Sequence, residues 1–141
     1  MIKRGCGVLF YNVEKDAVLV FRRDDKPNIP FPNMLDVLGG HVGDDEDPEV
    51  AITREMAEEL WDNRTGQPYI LKAPVLFKRY VDVRQCEQSI YWHTVKFEIS
   101  DLTLLEGKEL VWLTRERARK TKLAFEFEGV MNEFFEKTKN H

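Results

Sequence analysis

Apolar and polar positions along the chain change period several times, and each change marks an element. Cys6 to Asn12 and Ala17 to Arg22 are apolar runs separated by Val13-Glu14-Lys15-Asp16, the pattern of two strands joined as a hairpin. Lys26 to Asn33 carries Pro27, Pro30 and Pro32; proline fixes φ and has no N–H, so this segment reads as a stiff loop. Met34 to Leu38 is short and apolar and ends in Gly39-Gly40. From Asp47 the period becomes helical, with Asp47 as N-cap, Pro48 at the first helical position and Glu49 in the first turn. Val50, Ile52, Thr53, Met56, Ala57, Leu60 and Trp61 share one broad arc at about 100° per residue, which predicts a helix from Asp47 to Asp62. Val75 to Val83 and Ser89 to Glu98 read as strands, the second alternating through Tyr91, His93, Val95 and Phe97, and Leu110 to Leu113 is a further short strand. Leu123, Phe127, Val130, Met131 and Phe134 recur at helical spacing and predict a last, core-facing helix. Strands, helix, strands, helix imply a mixed α/β (α+β) fold, a sheet sandwiched between helices. No repeat, linker or low-complexity tract interrupts it, so residues 1–141 read as one domain.

Composition narrows the partners. Hydrophobic residues make up 43% and charged residues 33%, enough of each to bury a core beneath a polar surface. The formal net charge of −4 argues against a nucleic-acid polymer, whose phosphates need a concentrated basic surface. A small anion remains compatible, because a bound divalent cation supplies positive charge locally. Cys6 and Cys86 lie far apart and in no CxxC or Cys/His cluster, so two free thiols in a reduced compartment are expected. Met1-Ile2-Lys3-Arg4 has the charge of a signal-peptide start, but Lys15, Asp16, Arg22 and Arg23 follow too soon for an apolar core. No apolar run approaches the roughly 20 residues of a membrane span. The expectation is a cytoplasmic protein without a membrane partner. No pattern in the chain sets an oligomeric state.

On the predicted helix, Glu55, Glu58, Glu59 and Asp62 fall together opposite the apolar arc. Taken alone, that arc is first of all the solvated face of a surface helix. Two features point elsewhere. Acids at i, i+3 and i+4 repel by a few tenths of a kcal/mol per pair, and surface helices usually interleave cations to offset this. Here Arg54 is the only cation between Pro48 and Asn63. A patch of carboxylate oxygens is also what Mg2+ requires, and the C-terminal half of a helix favours a cation. Arg54 lies at the edge of the arc, where an ion pair with Glu46 would tie the preceding loop to the helix and orient Glu55.

Gly40, five residues, Glu46, seven residues, then Arg54-Glu55-Met56-Ala57-Glu58-Glu59 resembles the Nudix box, G-x5-E-x7-R-E-U-x-E-E-x-G-U. With residue frequencies of about 7%, six fixed positions recur by chance at roughly 10⁻⁵ over a chain of this length, so the match is specific. The order of hairpin, Pro-rich loop, short strand and acidic helix extends the resemblance to the whole chain. It departs from the box at its end. Trp61 and Asp62 stand where the box has Gly and an apolar residue, so the helix exit is expected to differ, with Gly66 ending the turn later.

The resemblance implies hydrolysis of a nucleoside diphosphate linked to another moiety, with Mg2+ as cofactor and Mn2+ able to substitute. It implies Glu55, Glu58 and Glu59 as metal ligands, joined by the Gly40 carbonyl and by an acid from outside the box, Glu106 ahead of Glu109. Glu55 or Glu58 is the expected general base, with Arg54 and Glu46 behind them. Arg22 and Arg23 close the second hairpin strand, where relatives often hold substrate phosphate. Phe125, Trp92 and Tyr91 are candidates to stack on a base, against core packing for each. His41 is a candidate phosphate contact; His93 and Cys86 are assigned no catalytic part. A base-reading Asn of some triphosphate-cleaving relatives corresponds to about Phe125, so no role against oxidised nucleotides is inferred. The expected small-molecule partners are nucleoside triphosphates, nucleotide sugars and dinucleoside polyphosphates. Two other activities share the fold: a weakly catalytic nucleotide sensor, against which the intact Glu trio argues, and an isopentenyl-diphosphate isomerase, whose Cys–Glu pair finds no matching context at Cys6 or Cys86.

Overall fold

Residues 2–138 are described by the computed structural model. β1 (Arg4–Asn12) and β2 (Ala17–Arg22) form the expected antiparallel hairpin. β3 (Leu35–His41) is longer than its apolar run, because it continues through the two glycines while pairing Cys6 with Gly40. Then come α1 (Pro48–Glu59), β4 (Leu60–Asp62), β5 (Gln67–Pro68), β6 (Val75–Val81), β7 (Glu87–Thr94), β8 (Leu102–Leu104), β9 (Glu109–Thr114), α2 (Arg115–Ala118) and α3 (Glu128–Thr138). The main sheet has the order β6-β7-β1-β3-β2-β9. It is mixed, since β1 runs parallel to β7 and the other pairs are antiparallel.

Alternation along β1 divides the core. Val8 and Phe10 face the α1 side with Ile52, Met56 and Leu60, whereas Leu9 and Tyr11 face the α3 side with Val130, Met131 and Phe134. Period two on the strand and period 3.6 on each helix together give the sandwich. Ile52 and Met56 are fully buried, so truncating either to Ala is expected to cost about 2–5 kcal/mol.

Three elements differ from the sequence reading. The α1 helix stops at Glu59, not Asp62, because Leu60 turns extended (φ −123°, ψ 130°) and enters β4. There it pairs with β8 and β5 in a second, three-stranded sheet that periodicity did not reveal. Asp62 is therefore no part of an acidic helix face: it is buried and accepts from Arg64 Nε and Nη2, both at 3.0 Å. The left-handed residue that ends the turn is Gly66 (φ 70°), whose N–H donates to the Asp62 carbonyl at 2.9 Å. Strand β7 begins and ends with its parallel partner, from Arg4↔Glu87 to Tyr11↔Thr94, although Val95 and Phe97 still reach the core. Finally, Phe125 and Glu126 have φ of 56° and 59°, which breaks the last helix and leaves Phe125 outside it.

Candidate active site

The glycines that end β3 bring the acidic helix onto the sheet. A Cβ on Gly40 would collide with the Glu55 carboxylate, so only glycine lets that carboxylate reach the backbone at this point. Behind it, Arg54 is a five-way tie. Its Nε and Nη2 each meet a Glu46 oxygen at 2.9 Å, Nη2 donates to the His41 carbonyl at 2.9 Å, and Nη1 donates to Glu55 at 3.1 Å and Glu58 at 3.3 Å. Glu46 also accepts from the Gly43 N–H at 3.0 Å, and the Arg54 guanidinium, with that N–H, holds its pKa down at about 2. The loop that opens the box is thus locked to α1 by charge-assisted bonds.

Glu59 behaves differently. It is the last residue of α1, and its Oε2 is buried with no hydrogen-bond partner among the described residues. Burial, with Glu55, Glu106, Asp36 and Glu58 adding to it, pushes its pKa up to about 8; burial also raises Glu55, against the pull of Arg54. An orphaned, buried carboxylate oxygen amid other acids demands either a proton or a cation. In the described positions no three His, Cys, Asp or Glu side chains already converge as a ligand set, since Arg54 draws Glu55 and Glu58 to itself. The acids that act on Glu59, namely Glu55, Glu106, Asp36 and Glu58, offer oxygen donors, which suit a hard cation.

Glu106 joins this cluster through main-chain bonds. Leu105 N–H donates to the Glu59 carbonyl at 2.8 Å and Lys108 N–H to the Arg22 carbonyl at 2.9 Å. Gly107 between them has φ 105° and packs against Phe21, and Lys108 Nζ donates to Asn33 at 3.1 Å. The loop is pinned at both ends. Glu109 leaves the site and pairs with Arg22 at 2.7 Å, and Arg22 also donates to the Asn33 carbonyl. Neither residue lines the cleft.

That cleft has a volume of about 820 Å³. Gly40, Glu55, Glu58, Glu59 and Glu106 line it together with Arg23, Arg84, Lys3, Lys26 and Phe125. Glu59 is grouped with Glu55, Glu58 and Glu106, and Arg23 and Arg84 with the Phe125 ring. Arg23 is bound to Asp36 at 2.9 Å, and burial lifts Asp36 to about 6 despite that partner. Of the other aromatic candidates, Tyr91 is in the core and Trp92 packs on Phe134, so neither is free to hold a base. His41 lines the cleft with its carbonyl held by Arg54. Cys6 and Cys86 are free, buried and also at the cleft wall, and Cys6 Sγ lies 3.6 Å from the Gly40 carbonyl. Asp36 and Arg84 escaped the sequence reading. A lone acid inside the apolar run Met34 to Leu38 was a usable signal; Arg84, in a short turn, offered none.

The family model of the Nudix domain matches residues 1–134. The chain belongs to the Nudix family. Its class of chemistry follows, hydrolysis of a phosphoanhydride bond. Among solved structures, MutT from work on Aliivibrio salmonicida and Vibrio cholerae is 14% identical with a TM-score of 0.74, covering 97% of this chain and 99% of that one. The Nudix hydrolase from Nitrosomonas europaea is 14% identical with a TM-score of 0.73, over 99% of this chain and 73% of that one. The Nudix domain of Shewanella oneidensis NrtR, solved with ADP ribose, is 15% identical with a TM-score of 0.70, over 94% and 85%. At such identities these likenesses concern the Nudix fold alone. No curated protein matched the chain.

Proposed function

We propose that this Nudix protein is a Mg2+-dependent pyrophosphohydrolase acting on a nucleoside diphosphate joined to a further group: a nucleoside triphosphate, a nucleotide sugar or a dinucleoside polyphosphate. The observation that carries the reading is the orphaned Glu59 oxygen, buried beside Glu55 where the latter presses on Gly40. Glu55, Glu58, Glu59, the Gly40 carbonyl and Glu106 would hold the cation, with Mn2+ able to replace Mg2+. When bound, it supplies positive charge at the diphosphate and acidifies the water it holds.

This chain's own residues do the rest. A water attacks one phosphorus, the bond from that phosphorus to the bridging oxygen breaks, and the proton passes to a carboxylate that Arg54 holds in place. Besides Glu46, which keeps Arg54 from swinging away, Glu55 and Glu58 are the carboxylates so held. Arg23, steadied by Asp36, faces the same cleft as a phosphate contact. Residues 1–141 act as one domain on a small molecule, not on a nucleic-acid polymer. The two free thiols support a reducing, cytoplasmic setting, and no helix among the described residues is long and apolar enough to cross a membrane.

A panel of such diphosphates with Mg2+, read as phosphate, pyrophosphate and monophosphate release, tests the reading. Hydrolysis is expected with metal, lost in excess chelator and rising from neutral to mildly alkaline pH. Equal turnover in chelator would sink it. An unchanged ligand would favour the sensor, and an isomerised diene precursor the isomerase.

A further inference from the structure

We propose that Arg84, with Lys3 on the same cleft wall, forms a second anion site, so that the preferred substrate carries a phosphate group beyond the diphosphate that is cleaved. This rests on the pyrophosphohydrolase reading and specifies its substrate class.

Phe125 is the starting point. Its left-handed backbone takes it off the last helix and into the cleft wall, where a free aromatic face would suit a base. The ring is already covered. The Arg84 guanidinium carbon lies 4.3 Å from its centroid and that of Arg23 5.2 Å, with Phe31 edge-on at 4.7 Å. What Phe125 presents to a ligand is therefore a stacked guanidinium.

Arg84 is also fixed from behind. Asp82, with its side chain only 4% exposed, accepts from Arg84 Nη2 at 2.8 Å and from the Arg84 N–H at 2.9 Å. The same carboxylate accepts from the Cys86 N–H at 3.0 Å and Gln88 Nε2 at 3.2 Å, so the turn between β6 and β7 is a rigid mount. The Arg84 side chain itself is 45% exposed and, among the described residues, commits only Nη2 to a partner, which leaves most of its five N–H donors for a ligand. A merely solvated arginine has no need of both a buried carboxylate and an aromatic platform. Arg23 commits Nε to the Pro30 carbonyl and Nη1 to Asp36, leaving further donors beside Arg84.

Charge points the same way. Arg23 and Arg84 share the Phe125 ring, Arg84 and Lys3 both act on Cys86, and Lys26 lines the same cleft. Asp36 and Asp82 are each spent on an arginine, and Lys26 reaches Asp24 only at 3.8 Å. A neutral base or sugar would leave these cations repelling one another. A phosphomonoester relieves that repulsion and matches the planar fork of Arg84 with two oxygens.

The test uses diphosphates that differ by one phosphate group: NADPH against NADH, and coenzyme A against dephospho-coenzyme A. The parent protein with Mg2+ is expected to show a KM about ten-fold lower for the phosphorylated member of at least one pair, the size of one charge-assisted contact. Arg84→Gln brings that ratio close to one. Arg84→Lys, which keeps the charge and loses the fork, gives an intermediate ratio, and Arg119→Gln, an exposed charge outside the cleft, retains the parent ratio. A measurement independent of turnover is calorimetric binding in chelator, where the parent prefers adenosine 3′,5′-bisphosphate to adenosine 5′-monophosphate and Arg84→Gln does not. A parent without preference in both assays, or an Arg84→Gln protein with the preference intact, overturns the second anion site. If no diphosphate is hydrolysed, the pyrophosphohydrolase reading fails, and the binding comparison still decides on the anion site.

Discussion

The two walls of the cleft are built in opposite ways. The acidic wall comes from one continuous stretch, Gly40 to Glu59, plus the pinned loop at Glu106, and helical geometry sets the spacing of Glu55, Glu58 and Glu59. The basic wall takes Lys3, Arg23, Lys26, Arg84 and Phe125 from segments scattered over most of the chain, brought together by the order of strands in the sheet. In the first, charges of one sign sit close with too little compensation; in the second, each buried acid already has its arginine. A site that concentrates uncompensated negative charge is prepared for a cation, and one whose acids are already neutralised by a surplus of arginine and lysine is prepared for an anion. Substitutions on either side of the cleft therefore separate the two walls.

The largest effect belongs to Glu59 and Glu55. Glu59→Gln and Glu55→Gln are each expected to lower turnover by at least about 10²-fold, with steady-state rates on the best panel substrate as the check. The same Glu59→Gln change should stabilise the metal-free protein. A carboxyl whose folded pKa is raised from 4.5 to about 8 is protonated in both states below pH 4.5 and makes no difference there. Its destabilising effect grows as pH rises through that window and is complete above about 8. Linkage sets an upper bound near 5 kcal/mol, and water in the open cleft reduces the expectation to about 2 kcal/mol. Urea unfolding in chelator at pH 5 and pH 9 reads this directly. A gain at pH 5 equal to that at pH 9 would mean that Glu59 is not the strained carboxyl.

Next comes the loop acid. Glu106→Gln is expected to cut the catalytic rate by about ten-fold, because the loop is fixed to the Glu59 carbonyl and lines the cleft. Glu109→Gln should be much milder, within about two-fold, since Glu109 is an exposed partner of Arg22 and such pairs contribute little. A larger loss at Glu109 would exchange the two roles.

How much of this was legible in sequence follows from the same contrast. The hairpin, the start of α1 and the Glu trio each depend on neighbours within a turn or a strand, so spacing revealed them. The Arg54–Glu46 tie was also readable, because the helix arc and a short loop set both ends. The surroundings of Arg22 and Phe125 are not readable from spacing: Arg22 is paired with Glu109 across the β2–β9 pairing, and Phe125, which lines the cleft, carries arginines on its ring. Arg84 lies in a turn whose partner, Phe125, is some forty residues away in the chain. Tertiary contacts decide such residues, and no periodicity records them.

The smallest effect tests the departure at the end of the box. Trp61 occupies the position where the box has glycine, and a glycine there would normally end a helix in the left-handed conformation. Here Leu60 has already left the helix in an extended conformation, and Trp61 is a strand residue, 38% exposed, paired with Pro68 and Thr103. No left-handed residue is needed until Gly66. Trp61→Gly should therefore restore the box without improving it. Glycine within a strand costs about 0.5–1 kcal/mol in backbone freedom, and the loss of half-buried indole surface adds a similar amount. Turnover should remain within about two-fold of the parent, because the carboxylates sit on α1 before this point and the Glu106 loop is tied to the Glu59 main chain. Thermal unfolding alongside kcat checks both halves. A several-fold rise in kcat would mean that the extended exit at Leu60 strains the acidic wall.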